Sequence, residues 1–289
     1  MAAPQEPHGI FESGGGPRHA DVGYVPPVSQ RAVVRLSGDT ASVAQAAVAE
    51  EVPVAFVYNR RPHVVMMATP ADLEDLAVGF TVTEEIAAPH DITRIEVARY
   101  SRGIELSIEI PSEAGERLEQ RARAISGRTG CGLCGVEAIE DAVRAPRVVT
   151  ATFSVTPDAL WRAGRALDAL QLLNRQTHAI HAAAWSTPDG VLHIVREDVG
   201  RHNALDKTLG ALVKGALDPT TGFLVLTSRA SFELVQKAAV CGVSLLAAVS
   251  RPTGLAVTMA DAAGMTLVGL LRGESANLYT HAYRIADGA

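Results

Sequence analysis

The sequence predicts an α/β protein in two parts: a C-terminal domain with a mostly parallel sheet, and a smaller α+β N-terminal domain. Three observations carry this. In the second half, short and continuously apolar runs ("VLHIV", "GFLVLT", "VSLLAAVS", "TLVGLL") alternate with helical stretches. Strands apolar on both faces belong in a parallel sheet covered by helices. In the first half, "VPVAFVY" and "HVVMMA" flank a turn at "NRRP", while "RIEVARY" and "GIELSIEI" alternate as half-buried strands do. A chain of 289 residues is long enough for two cores.

Taken in order, residues 1–30 read as a disordered leader, rich in Gly and Pro with little to bury. The α+β domain spans 31–126, beginning near "RAVVRL". In "TPADLEDLAVGF", Thr69 suits an N-cap, Pro70 the first helical position and Asp72 the first turn. Leu73, Leu76, Ala77 and Phe80 then share one helical face. Residues 112–125 read as helix. Residues 127–149 form a loop and linker that is expected to be mobile, and 150–289 the second domain. There Thr156 and Pro157 start a helix through "DALWRAGRALDALQLLN". Further helices are expected at "NALDKTLGALVKGAL", "SFELVQKAAVCG" and "TGLAVTMADAAG".

Composition excludes several function classes. The net charge is −6, from 26 basic and 32 acidic residues, so the chain is no bulk binder of nucleic acid; an anion site must come from local arginines. Three cysteines make no disulfide framework, which points to the reducing cytoplasm. No stretch reads as a membrane span or signal peptide, so no membrane partner is expected.

Ligands of open α/β sheets bind at the carboxyl ends of the strands. Each of four predicted exits carries arginine: Arg196 with Arg201, then Arg229, Arg251 and Arg272. Arginine matches phosphate with a two-pronged fork, and helix N-termini add backbone donors, so the pattern points to a polyanionic ligand. The densest polar stretch is "REDVGRHNALDK". It reads either as a helix start, with Asn203 as cap and Asp206 in the first turn, or as a site loop using His202 or Asp198.

Cys131 and Cys134 form a C-x-x-C pair among Gly127, Gly130, Gly132 and Gly135. A structural zinc site needs two more ligands, which His178 and His181 could supply, though their spacing fits only loosely. A redox pair of thioredoxin type should follow a strand, and this one follows a glycine-rich loop. A sulfur carrier needs an exposed, mobile thiol of lowered pKa, which Arg128 and free glycine N–H groups would favour. Cys241, near a helix end before a strand, reads as core.

"GRTGCGLCGVE", "REDVGRHNALDK", "SRASFELVQKAA", "LAAVSRPTGLAV", "TLVGLLRG" and "TPADLEDLAVGF" together resemble the FdhD family, sulfurtransferases required for formate dehydrogenase activity. The resemblance runs from about residue 30 to the C-terminus. It implies a sulfur carrier that takes persulfide sulfur from a cysteine desulfurase. The sulfur then passes to the molybdenum of Mo-bis(molybdopterin guanine dinucleotide), bound as substrate, before formate dehydrogenase receives that cofactor. It also implies a cytidine-deaminase-like second domain without that fold's zinc chemistry, hence no structural metal, and a homodimer. The family's persulfide cysteine matches Cys131, with Cys134 beside it. Its cofactor-binding stretch matches Leu270, Leu271, Arg272, Gly273, Glu274 and Ser275. Arg229, Arg251, Arg201 and His202 join these as cofactor-binding candidates. Where the family has a glycine pair before its histidine, this chain has His178 and Ala179, so nothing is carried over to His178; His181 stays a candidate.

Two other readings compete. A zinc-dependent deaminase carries an H-x-E element and P-C-x-x-C. Here alanine follows His181 where the glutamate belongs, and no proline precedes Cys131. A molybdenum-cofactor-binding chaperone without sulfur transfer would need the arginine loops but not the thiols. Sulfur transfer requires Cys131 to reach both the donor enzyme and the bound metal, so the cysteine loop is expected to swing.

Overall fold

The computed structural model describes residues 25–125, 145–150 and 153–286. The loop carrying Cys131 and Cys134, and most of the expected leader, lie outside the described residues. The described part of the chain opens with a hairpin of two ten-residue strands, β1 (Val28–Ser37) and β2 (Thr40–Ala49), whose turn uses Gly38 at φ 56°. β1 starts three residues ahead of Arg31. β2 escaped the sequence reading because its alternate residues are mostly alanine and serine, which blurs a period of two.

The first unit follows. β3 (Val52–Tyr58) and β4 (Arg61–Ala68) pair antiparallel. Asn59 and Arg60 both have positive φ, 48° and 67°, the mirror-image turn whose twist matches a two-residue hairpin. α1 (Leu73–Thr83), β5 (Arg94–Tyr100), β6 (Gly103–Glu109) and α2 (Ser112–Ile125) complete a four-stranded sheet of order β4-β3-β6-β5. Val54, Phe56, Leu106 and Ile108 bury against Leu76 of α1 and Leu118 of α2.

The helix start differs from expectation. Asp72, in left-handed backbone, is the N-cap of α1 and makes no side-chain cap bond. Thr69 instead reaches the second unit, its hydroxyl accepting the Val199 N–H at 3.1 Å. A long-range partner outcompetes the local cap.

The second unit holds α3 (Pro157–Leu170), α4 (Asn174–Thr177), β7 (His181–Ser186), β8 (Leu192–Asp198), α5 (Arg201–Lys214), β9 (Phe223–Leu226), α6 (Phe232–Val240), β10 (Leu245–Ala248), α7 (Gly254–Ala263), β11 (Thr266–Arg272) and β12 (Ser275–Thr280). Its sheet has the order β12-β11-β10-β9-β7-β8. It is mixed rather than mostly parallel: β9, β10 and β11 run parallel, whereas β7 is antiparallel to both its neighbours and β12 to β11. The correction comes from β7, whose "HAAAWS" is a strand made largely of alanine and lacks the bulky run that marks the others. Because β7 reverses direction, β8 still points the same way as β9–β11. The carboxyl ends of four strands therefore share one edge of the sheet.

Alternate residues separate the two faces. Leu224, Leu226 and Leu246 pack with Leu205 and Leu209 of α5 and Leu234 of α6. Phe223, Val225 and Leu245 pack with Leu160, Ala163 and Leu167 of α3. α5, α6 and α7 thus cover one face and α3 the other.

α1 crosses α5 at very close range, and two glycines allow it. A Cβ on Gly79 would lie 1.8 Å from the Asp206 carbonyl oxygen, and one on Gly210 1.9 Å from that of Asp75. Among the described residues no helix is long and apolar enough to cross a membrane.

Candidate functional site

The polar stretch after β8 resolves into two groups. Asp198 and Lys207 are both fully buried and pair at 2.6 Å. Asp198 also accepts from the backbone N–H of Thr69 and Gly200 and from the Asn203 amide, at 2.8–3.0 Å. Lys207 donates further to the Thr69 and Glu197 carbonyls. Asn203 does not cap α5, whose N-cap is Gly200; its amide reaches the Met67 carbonyl of the first unit at 2.9 Å. Every charge here has its partners, which is the condition for burying one.

The same pattern continues along α5. Asp206 is buried and meets Lys237 at 3.0 Å and the Thr83 hydroxyl at 2.7 Å. Glu84 lies 2.7 Å from the same ammonium. Burial alone would lower the Lys237 pKa, but the Asp206 and Glu84 carboxylates outweigh it and hold the group above the ordinary lysine range. Arg196, inside β8, pairs with Asp75 at 2.7 Å rather than facing a ligand. Thus the stretch that looked most like a site is largely the joint between the two units.

Arg201 and His202 stand apart, half-buried in the first turn of α5 on the α5–α6 face. His202 Nε2 lies 3.1 Å from Glu233, which also accepts the Ser231 hydroxyl at 2.9 Å. Burial pulls His202 below the ordinary imidazole range; Glu233 opposes this and Arg201 adds to it. His181, at the start of β7, is lowered by burial and then by the Arg201 charge. The Arg201 Nε is buried without a hydrogen bond among the described residues. His178 ends α4 in left-handed backbone at φ 53°. Among the described residues no cluster of three His, Cys, Asp or Glu side chains is placed to hold a metal.

On the α3 face, a cleft of about 380 Å³ opens at the strand ends. Its floor is Thr227 after β9, Val249 after β10, and Leu271, Arg272 and Gly273 at the end of β11. α3 and the residues after it form the other wall, with Gly164, Arg165, Leu167, Asp168, Gln171 and Asn174. The chain bends sharply around the floor: Leu270 and Gly273 both have positive φ, 55° and 58°. Arg272 is exposed, its Nε donating to the Val249 carbonyl at 3.0 Å. That bond fixes the guanidinium at the mouth and leaves its terminal nitrogens without a partner among the described residues. Glu274 and Ser275 are exposed beyond it, Glu274 lying 3.9 Å from Arg165.

Leu271, Arg272 and Gly273 therefore sit together in one cleft, with Leu270, Glu274 and Ser275 continuing the same turn. Arg229 and Arg251 are exposed on the neighbouring exits, before α6 and α7. Arg201 and His202 lie across the sheet from the cleft. The α3 wall was missed by sequence reasoning. Its signal was present: Gly164, Leu167, Asp168 and Gln171 follow the i, i+3, i+4, i+7 spacing of one helix face. Cys241 is half-buried against the larger core, and burial followed by the nearby Asp206 charge pushes its thiol up to about 12.

Fold and cleft define the class: a two-unit α/β protein whose second unit offers an arginine-edged cleft at the carboxyl ends of its strands. The FdhD/NarQ family model matches residues 49–286, and the chain belongs to that family. A protein named sulfur carrier protein FdhD from Xanthomonas campestris pv. campestris (strain B100) is 48% identical over 259 residues, covering 89% of this chain and 92% of that protein. One of the same name from Bordetella petrii is 46% identical over 257 residues, covering 88% and 92%. A crystal structure described as that of a formate dehydrogenase accessory protein from Desulfotalea psychrophila shares the fold. It has a TM-score of 0.71 at 24% identity, over 90% of this chain and all of that one.

Proposed function

We propose that this protein is a cytoplasmic sulfur carrier that activates formate dehydrogenase. The thiolate of Cys131 attacks the outer sulfur of a persulfide on a cysteine desulfurase. A new S–S bond forms, the donor's S–S bond breaks, and the donor cysteine leaves as a thiolate; no electron is gained or lost. The S–S bond on Cys131 would then break and return the Cys131 thiolate. The outer sulfur would become a sulfido ligand of the molybdenum of Mo-bis(molybdopterin guanine dinucleotide), bound as substrate, the two electrons that reduce it coming from that metal; Cys134 assists.

The observation that carries this reading is the cleft at Leu271, Arg272 and Gly273 in a chain whose curated relatives are named sulfur carriers. A guanine dinucleotide brings phosphates, and the free nitrogens of Arg272 suit them. Leu270, Glu274 and Ser275 shape the turn around that contact, and Arg229 and Arg251 extend the positive rim. Arg201 and His202 serve the part of the cofactor that reaches the α5 face. We assign the second unit to the cytidine-deaminase-like fold, supported by its parallel β9–β10–β11 core, and the working form to a homodimer.

Mass spectrometry after incubation with a cysteine desulfurase and cysteine tests the carrier role. The Cys131 peptide should gain one labile sulfur, and Cys131→Ala should gain none there and fail to activate formate dehydrogenase. A Cys131→Ala protein that activates fully would leave only cofactor delivery without sulfur transfer.

A further inference from the structure

The α3 wall of the cleft holds polar groups with no partner among the described residues, and their pattern is asymmetric. Asp168 is exposed on the last turn of α3, lines the cleft, and takes part in no hydrogen bond or ion pair among the described residues. Gln171, one turn on, is 5% exposed, yet only its oxygen is engaged, accepting from the Asn174 amide at 3.1 Å. The Asn174 oxygen is in turn fixed by the Ile180 N–H at 3.1 Å, and its backbone N–H by Glu197 at 2.8 Å. This chain of bonds orients the Gln171 amide and leaves its Nε2–H₂ as a free donor. The wall therefore presents a two-oxygen acceptor and an amide donor one helical turn apart. Leu167 and Leu271 supply apolar surface beside them, and Gly164 lets Leu271 pack close against α3, where a Cβ would stand 3.3 Å from the Leu271 side chain.

We propose that Asp168 and Gln171 read the base of the nucleotide, selecting guanine. This rests on the reading of the cleft as a guanine-nucleotide site. Guanine offers two adjacent donors, N1–H and the N2 amine, which a carboxylate accepts together. Its O6 and N7 are acceptors for an amide donor. Adenine inverts the pattern, presenting an unprotonated N1 towards the carboxylate and an amine towards the amide. Two mismatched polar groups in a partly desolvated site reject a ligand far more strongly than a missing apolar contact does. At about 380 Å³ the cleft falls within the usual range for small-molecule sites.

Titration calorimetry of the full chain with GDP, ADP and xanthosine diphosphate (XDP) tests the assignment. The parent should bind GDP at least tenfold more tightly than ADP. Asp168→Asn, at an exposed position that leaves folding intact, should lose tenfold or more for GDP and gain for XDP, whose C2 oxygen accepts where guanine donates. Arg272→Ala should weaken GDP and XDP alike, since it acts on phosphate. A parent that binds GDP and ADP equally, with Arg272→Ala weakening both, would overturn the base assignment and leave the nucleotide cleft standing. An Asp168→Asn protein with GDP affinity unchanged would also overturn it. A parent that binds none of the three would overturn both.

Discussion

The two faces of the second sheet carry polar side chains in opposite states. On the α5 face, Asp198, Lys207, Asp206 and Lys237 are buried and paired, and they hold the first unit in place. On the α3 face, Asp168, the Gln171 amide nitrogen and the outer nitrogens of Arg272 have no partner among the described residues and stand beside open volume. Burial charges a desolvation cost that only complete pairing offsets, so a dense, satisfied network is a joint. Groups left without partners at a cleft are what a ligand can use.

The contrast is broken most severely by removing half of a buried pair. Lys207→Ala leaves Asp198 charged and buried, which should cost about 3–5 kcal/mol in urea unfolding. The double variant Asp198→Asn/Lys207→Met should recover part of that loss, because no lone charge remains. A Lys207→Ala protein as stable as the parent would show that the joint does not depend on the pair.

The helix crossing sharpens the comparison next. Gly79→Ala gains about 1 kcal/mol of helix propensity. Against that, the new Cβ meets a backbone oxygen at 1.8 Å and must push α1 off α5. Overpacking of this kind costs about 1–3 kcal/mol, so the net effect should be destabilising. A rise in Tm would mean that the crossing has slack.

Acid titration gives a smaller effect. His63, His181 and His202 are all held below the ordinary imidazole value, chiefly by burial. A depressed folded pKa means that the unfolded chain takes up protons first. Stability is therefore full above about pH 6.5 and falls as pH drops through the folded values. Replacing the three by Gln should flatten the slope between pH 7 and 5; an unchanged slope would place the titrating groups elsewhere.

These outcomes bear on what could be read from residues alone. The hairpin β3–β4, the strands β5 and β6, and the helix at 112–125 were legible because their periods are clean and Asn59-Arg60 marks the turn. β7 was not, since alanines bury as well as valines here but carry no strand signature. Thr69 and Asn203 read as local caps because nothing in a sequence shows a side-chain partner 130 or 136 positions away. The strand-end arginines were legible as a set. Which face each one serves was not, because that depends on the direction of β7 and the placement of α3.

The smallest effect concerns Cys241. With its thiol pushed up to about 12, it carries a negligible thiolate fraction at neutral pH and should resist alkylation until the protein unfolds. Peptide-level mass spectrometry after brief iodoacetamide treatment reads this. Rapid labelling of folded protein at Cys241 would show an exposed thiol, and the sulfur chemistry would then have a second candidate.

The central claim is that the guanine nucleotide sits in the α3 cleft and that the buried-pair joint serves it only as scaffold. Calorimetric titration of GDP against Arg272→Ala and against the Asp198→Asn/Lys207→Met double variant measures this directly. Arg272→Ala should lose tenfold or more in affinity, while the folded double variant keeps the parent's value. Arg272→Ala binding as the parent does, with the double variant impaired, would place the ligand at the joint and contradict the account.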